Sequence, residues 1–424
     1  MQSNTTVDGP GPQDRVLAPT PGLPPPGTES LAHSERVVDA IRDAITAAGG
    51  WISFRKFMRI ALYAPGLGYY AAGARKIGLS DADSDFATAP EMTPLFGYAL
   101  ANQFADVLLS VGGDVLELGA GSGNLAADLL VRLASSGVDC GYSILEPSPD
   151  LRERQRATIA ARAPQLSGKV RWLDSLPEAW TGVIFGNEVL DALPVEWLVR
   201  KDGHRSSRGV IVDGDGWLVL SDRSLDAAVV SSDGNGATSN RDADERDLIA
   251  AIDDLFPGGD YASEINPEAE ALSATLASIL HAGMLMWIDY GFPSHEYYHS
   301  QRAAGTLMCH YRHRAHDDPL LWPGLQDITA HVDFSAIARV TCDAGAELAG
   351  YATQASFLLD CGIADLMMQE SGEPGSAGFL RASNAVQRLL SPAEMGELFK
   401  VIAFTRDFGH PLRGFATSDR SGRL

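Results

Sequence analysis

Basic residues are in short supply: 33 Lys and Arg stand against 55 Asp and Glu, a formal net charge of -22 over 424 residues. Proteins that grip phosphate backbones carry a basic face, so no nucleic-acid partner is expected. The acidity suits a cationic target instead, such as an arginine or lysine side chain. No apolar run approaches the roughly 18 uninterrupted residues of a membrane span, so no membrane partner is expected. The first residues form neither a basic, apolar signal peptide nor an Arg-rich amphipathic presequence, and a cytoplasmic location is expected from that. Cysteine is scarce. Cys140, Cys309, Cys342 and Cys361 lack paired spacing and read as reduced thiols. Cys309, His310, His313 and His316 lie close in sequence, but without C-x-x-C pairing no metal is expected.

What the chain does have is a glycine turn between an apolar run and a helix, Val115-Leu116-Glu117-Leu118-Gly119-Ala120-Gly121-Ser122-Gly123-Asn124-Leu125. Three glycines at alternate positions allow positive φ and let a ligand approach the backbone. The helix expected from about Leu125 to Leu133 would aim its N-terminal amides at that ligand. The same pattern also serves as a purely structural tight turn. About twenty residues on, Tyr142-Ser143-Ile144-Leu145 ends in Glu146, a carboxylate placed to accept both hydroxyls of a ribose. Read plainly, Glu146 is a solvated surface acid. Ser148 and Pro149 supply an N-cap and first-turn proline for a helix to about Arg162, completing a right-handed βαβ unit.

The dinucleotide fingerprint wants Gly or Ala where Asn124 stands, which weakens an NAD-linked reading, and no Gly-Lys-Ser/Thr follows for a phosphate loop. Val170–Leu173 is expected as a third strand, followed by Asp174 and Ser175 as adenine-side candidates. Residues 182–186 form a fourth, running into Asn187, Glu188 and Asp191 at the crevice end of an inner strand. Those three could instead cap a short helix. A fifth core strand is expected over Met284–Gly291, with Asp289 near its end. Residues 1–30 hold seven prolines and read as a disordered tail, and 222–247 as a mobile surface insertion. The segment 292–335, rich in histidine, reads as a loop folded over the pocket. Asp327 and His331 in it are either pocket-lining or structural.

The pattern E-L-G-A-G-S-G resembles motif I of class I S-adenosylmethionine (SAM) methyltransferases. With the runs Ala61–Tyr70, Thr88–Glu91, Asn187–Val195, Asp289–Gly291 and Gly324–Phe334, the chain resembles the MidA-like SAM-dependent methyltransferases, a group that includes the mitochondrial complex I assembly-factor protein-arginine methyltransferase. The resemblance implies an α/β, Rossmann-like seven-stranded class I methyltransferase sheet with additional helical and loop elements. It implies a helical substrate or cap region over 31–110 and a core over 111–424. SAM is the implied cofactor, held by Glu117, Gly119, Ala120, Gly121, Gly123, Glu146, Asp174, Ser175 and Asn187. The implied substrate is an arginine of a protein, with a respiratory-complex subunit as one possibility. Carboxylates must then hold the guanidinium: Glu188 and Asp191 first, with Glu91, Asp289 and Asp327 behind them, one of these or His331 taking the proton. A cofactor-binding assembly protein without turnover is the alternative from another class.

Overall fold

The computed structural model describes residues 23–72, 88–226 and 240–424. In chain order the elements are helix α1 (Thr28–Ala47), strand β1 (Ile52–Ser53), helices α2 (Phe54–Tyr63), α3 (Ala89–Met92) and α4 (Pro94–Val111), β2 (Asp114–Leu118), α5 (Asn124–Ser135), β3 (Tyr142–Leu145), α6 (Pro149–Arg162), β4 (Val170–Leu173) and β5 (Trp180–Asn187). There follow β6 (Glu196–Lys201), β7 (His204–Val212), β8 (Leu218–Ser224), α7 (Asn240–Leu255), β9 (Tyr261–Ile265), α8 (Pro267–Ile279), β10 (Leu280–Phe292) and α9 (Ser294–Tyr297). The remainder comprises β11 (Met308–Tyr311), β12 (Arg314–His316), β13 (Asp327–Thr329), β14 (Val332–Asp333), α10 (Phe334–Asp343), β15 (Glu347–Thr353), α11 (Gln354–Asp360), α12 (Ile363–Glu370), α13 (Ala377–Leu390) and β16 (Phe399–Arg406).

The main sheet runs β15-β16-β10-β5-β2-β3-β4, and β14 pairs with the end of β10, so it has eight strands where seven were expected. The inner strands β10, β5, β2, β3 and β4 are mutually parallel, and β16 runs antiparallel to its neighbours. Both faces are covered, which is why these strands read as nearly continuous apolar runs. Val115, Val183, Phe185, Met284 and Met286 face a core shared with α4 and α5, while Leu116, Leu118, Ile184, Leu285 and Trp287 face one shared with α8 and α10. Chain order reverses between β2 and β5, opening a crevice at their carboxyl ends.

A second, antiparallel sheet, β1-β7-β6-β9 with β8 on β7, forms another layer. Residues 31–110 are divided between the layers. Val37, Ile41, Phe54, Phe57 and Met58 of α1 and α2 pack with Val195, Trp197 and Val210 beside the second sheet, whereas Phe96, Leu100 and Phe104 of α4 belong to the main core.

Some expectations change. Of the expected tail, residues 1–22 lie outside the described residues, and Thr28 already begins α1. Of the expected insertion, 227–239 lie outside them too, and α7 takes up the remainder from Asn240. Leu248, Ile249, Ile252 and Leu255 recur at helical spacing and pack α7 against Leu198 and Tyr261. The 292–335 segment is not one loop: it contains a small antiparallel sheet, β12-β11-β13. Among the described residues no helix is long and apolar enough to cross a membrane, and no group of three or more His, Cys, Asp or Glu side chains is placed to hold a metal ion.

Candidate active site

A cavity of about 760 Å³ opens at the carboxyl ends of β2, β3 and β5. Its floor is the turn Glu117–Ser122, where Gly119 and Gly121 take φ of 64° and 51°. Gly123 has φ 83°, and a Cβ there would lie 3.0 Å from the Cα of Gln155, so a side chain would push α6 off the turn. Gly123 therefore shapes the turn and does not line the cavity, whereas Ala120, Gly119 and Gly121 do.

Asn124, the residue that breaks the dinucleotide pattern, has a partner. Its Nδ2 donates to Glu91 Oε2 at 2.9 Å, and the Ser122 hydroxyl donates to Glu91 Oε1. Glu91 thus seals the turn from α3, and its carboxylate is already engaged by two turn side chains.

Glu117 lies on the same face of β2 as Val115 and is 2% exposed. The Tyr142 hydroxyl donates to its Oε2 at 2.8 Å, yet burial dominates and pushes the carboxyl up to about 8. A cation beside it would restore the carboxylate. Glu146, 4% exposed, accepts the Ser148 amide at 3.0 Å and Gln155 Nε2 at 3.2 Å, and burial raises it as well. The plain reading of Glu146 as a solvated acid is thereby set aside. Gln155, fully buried, also donates to Gly121 O at 3.2 Å and accepts from Trp172 Nε1 at 2.9 Å, so one amide couples the turn, β3 and β4. Nothing in the local pattern marked Gln155.

Asp174 and Ser175 are not brought to the cavity. Asp174 has a side chain 91% exposed and pairs with Arg152 at 2.7 Å, and Ser175 is exposed. The strand β4 ends at Leu173 as expected, but both residues after it are exposed, with Asp174 held by Arg152.

Asn187, Glu188 and Val189 form the opposite wall with Tyr63 and Tyr70. No helix follows Asn187, so these residues cap nothing. Glu188 takes φ 54°, a conformation unfavourable for a residue with a side chain. It accepts Asn187 Nδ2 at 2.9 Å and is raised to about 8, by burial first and then by Asp191. Asp289 does not line the cavity. Its Oδ2 accepts the amides of Val189, Leu190 and Asp191 at 3.2, 2.9 and 3.3 Å, which fixes the unusual turn. Asp191, 5% exposed, accepts the Tyr290 hydroxyl and sits behind Glu188, pushed up by burial.

Asp327 and His331 also stand back from the cavity. Asp327 accepts the Tyr70 hydroxyl at 2.9 Å, and the Tyr63 hydroxyl donates to Ala192 O at 2.9 Å, so both ring planes are fixed, 5.5 Å apart. His331 stacks on Phe292 at 5.3 Å and meets Tyr290 edge-on. Burial lowers it to about 4, leaving a neutral imidazole. The segment expected to cover the pocket supplies none of its lining. It props up the tyrosine wall.

The residues present fit SAM. The cavity has room for a nucleoside and an amino acid, Glu117 awaits a cation, and the buried Asn187 Oδ1 has no partner among the described residues.

Known proteins supply independent support. A family model described as S-adenosyl-L-methionine-dependent methyltransferase matches residues 99–352. The protein arginine methyltransferase NDUFAF7, mitochondrial, of Danio rerio is 30% identical, covering 83% of this chain and 83% of its own. Its Mus musculus counterpart is 28% identical, covering 88% and 85%. A candidate methyl transferase from Burkholderia thailandensis, solved with S-adenosyl-homocysteine bound, is 48% identical with a TM-score of 0.86, covering 95% of this chain and all of its own. These comparisons favour neither the non-catalytic nor the NAD-linked reading. They also overturn the expected cytoplasmic location, because the animal relatives are named as mitochondrial proteins. The chain belongs to the MidA-like family of S-adenosyl-L-methionine-dependent methyltransferases.

Proposed function

We propose that the protein transfers a methyl group from SAM to an arginine side chain of a protein substrate. The observation that carries this reading is the placement of Glu188 in the same cavity as the glycine turn, facing it from β5. The names of the animal relatives as protein arginine methyltransferases agree with it.

In this reading Glu117, Gly119, Ala120, Gly121, Glu146 and Asn187 hold the cofactor, and Gln155 and Gly123 keep those groups in register. Bound SAM supplies an electrophilic methyl on a sulfonium. The protein has to orient the acceptor nitrogen and exclude water. Glu188 receives the guanidinium, whose positive charge draws the carboxyl down from about 8 toward its ionised form. The carboxylate so formed can take the proton that the nitrogen loses as it is alkylated. Tyr63 and Tyr70 stay neutral, raised by burial, and offer an aromatic wall to the planar cation. Asp289 and Asp191 hold the turn, and Asp327 holds Tyr70.

The test is labelled-methyl transfer from SAM into a lysate of the source cell, followed by mass spectrometry of the labelled protein. Label on an arginine nitrogen is expected. Label confined to lysine, carboxyl or small-molecule products would overturn the arginine assignment.

A further inference from the structure

A second cavity, of about 270 Å³, lies where the end of β10 meets β16 and the final residues of the chain. Phe292, Pro392 and Leu398 give it an apolar side, and Lys400, Tyr351 and the pairs Arg420–Glu397 and Arg423–Glu296 a polar one. It shares no lining residue with the SAM cavity.

Its charges do not balance internally. Arg420 pairs with Glu397 at 2.7 Å, and the more exposed Arg423 lies 3.7 Å from Glu296. Lys400 is 6% exposed and has no carboxylate within ion-pair distance among the described residues. Its Nζ donates to the carbonyl oxygens of Glu397 and Leu398, which solvate an ammonium without neutralising it. Burial lowers the ammonium to about 8, although the more distant Glu397 and Glu296 carboxylates pull the other way. The Tyr351 residue is 1% exposed, and its hydroxyl has no hydrogen-bond partner among the described residues. A buried hydroxyl is normally hydrogen-bonded and a buried ammonium normally touches a counter-charge, so the two lining one cavity mark a missing partner.

We propose that this cavity binds a small organic monocarboxylate, the carboxylate meeting Lys400 and the Tyr351 hydroxyl and the hydrocarbon part lying against Phe292, Pro392 and Leu398. One unbalanced positive charge calls for one negative charge, and the apolar side calls for carbon. Inorganic phosphate, at neutral pH a mixture of mono- and dianion, has no apolar part to lie against Phe292, Pro392 and Leu398.

The experiment is calorimetry on the full chain with sodium benzoate, sodium acetate and inorganic phosphate. Benzoate is expected to bind with 1:1 stoichiometry and more tightly than acetate. Lys400→Met should weaken benzoate by about tenfold or more, and Tyr351→Phe by about fivefold, as expected for lost charged and neutral hydrogen bonds. Both variants should keep SAM affinity within about twofold, which separates lost ligand contacts from lost folding. If Lys400→Met does not fold, Tyr351→Phe, which deletes one oxygen, decides. No benzoate or acetate binding by the wild type, tighter binding of phosphate than of either carboxylate, or unchanged benzoate affinity in the folded variants overturns the proposal.

Discussion

Glu188 sits on a backbone turn with φ 54° and has its carboxyl raised to about 8, so at neutral pH it holds a proton until a cation arrives. Methyl transfer to an arginine acceptor should therefore gain kcat/KM as pH rises toward about 8, the direction in which Glu188 ionises. Glu188→Gln should remove that limb, lower transfer by roughly a hundredfold or more, and leave SAM affinity nearly unchanged. Steady-state pH profiles with calorimetry on the same variant check both halves. Loss of SAM binding would move Glu188 into the cofactor contact set. Glu146 makes the opposite prediction: Glu146→Ala should weaken SAM by about one to two orders of magnitude, since hydrogen bonds to a charged acceptor contribute roughly 1.5–3 kcal/mol. Equal affinity in calorimetry would remove Glu146 from the ribose position.

At the scale of elements, the site is two turns fixed by different means. The turn after β2 depends on glycine, and Gly121→Val should abolish SAM binding in a protein with native circular dichroism, because the branched side chain enters the cavity floor. Retained affinity in the folded variant would displace the cofactor from this turn. The turn after β5 depends on an acceptor, since Asp289 Oδ2 receives three amides. Asp289→Ala leaves those amides unpaired and should cost about 3 kcal/mol of stability. Asp289→Asn keeps an acceptor and should recover most of it. Urea denaturation of the pair decides, and equal losses in both variants would mean that the carboxylate's charge, rather than its acceptor role, holds the turn.

Across the whole molecule, burial raises several acids above their ordinary values. Glu117 and Glu188 rise from 4.5 to about 8, and Asp128 and Asp333 rise from 3.8 to about 6. Raised folded-state values mean that the native chain binds more protons than the unfolded one across this window. The stabilisation is complete below the unfolded values and is lost as pH rises through the folded ones. The melting temperature of the cofactor-free protein should therefore fall between about pH 5 and pH 8. Glu117→Gln should flatten that slope and melt above wild type at pH 8, while binding SAM about tenfold more weakly, because the buried group that destabilises the empty fold is the one that meets a cation. A wild-type melting temperature that rises across this range would show that these groups are ionised in the fold.

Local chemistry made much of this architecture legible. Val170–Leu173 appears as expected, and α6 begins at Pro149 behind a Ser148 hydroxyl that accepts the Leu151 amide, because strand ends and caps are set by neighbours in the chain. The glycine turn, Glu146 and Asn187-Glu188 were legible for the same reason: each stands at a fixed offset from its own strand. Contacts between distant segments were not. Asp289 looked like a reacting carboxylate, but three amides a hundred positions away in the chain occupy it. Asp327 braces Tyr70 from 257 residues beyond. Gln155 joins the glycine turn, the end of β3 and β4, yet stands in α6 as an ordinary polar residue. The second sheet and α7 take their partners from distant segments, the sheet from α1 and α2 and α7 from Leu198, Tyr261 and Tyr297. The sequence by itself determined the strand–turn–helix unit and the acids at strand tips, since 2-fold and 3.6-fold periodicity and positive φ are local properties. Only the tertiary structure decided which acids face the cavity and which hold it open, because that depends on which long-range hydrogen bond each buried carboxyl finds first.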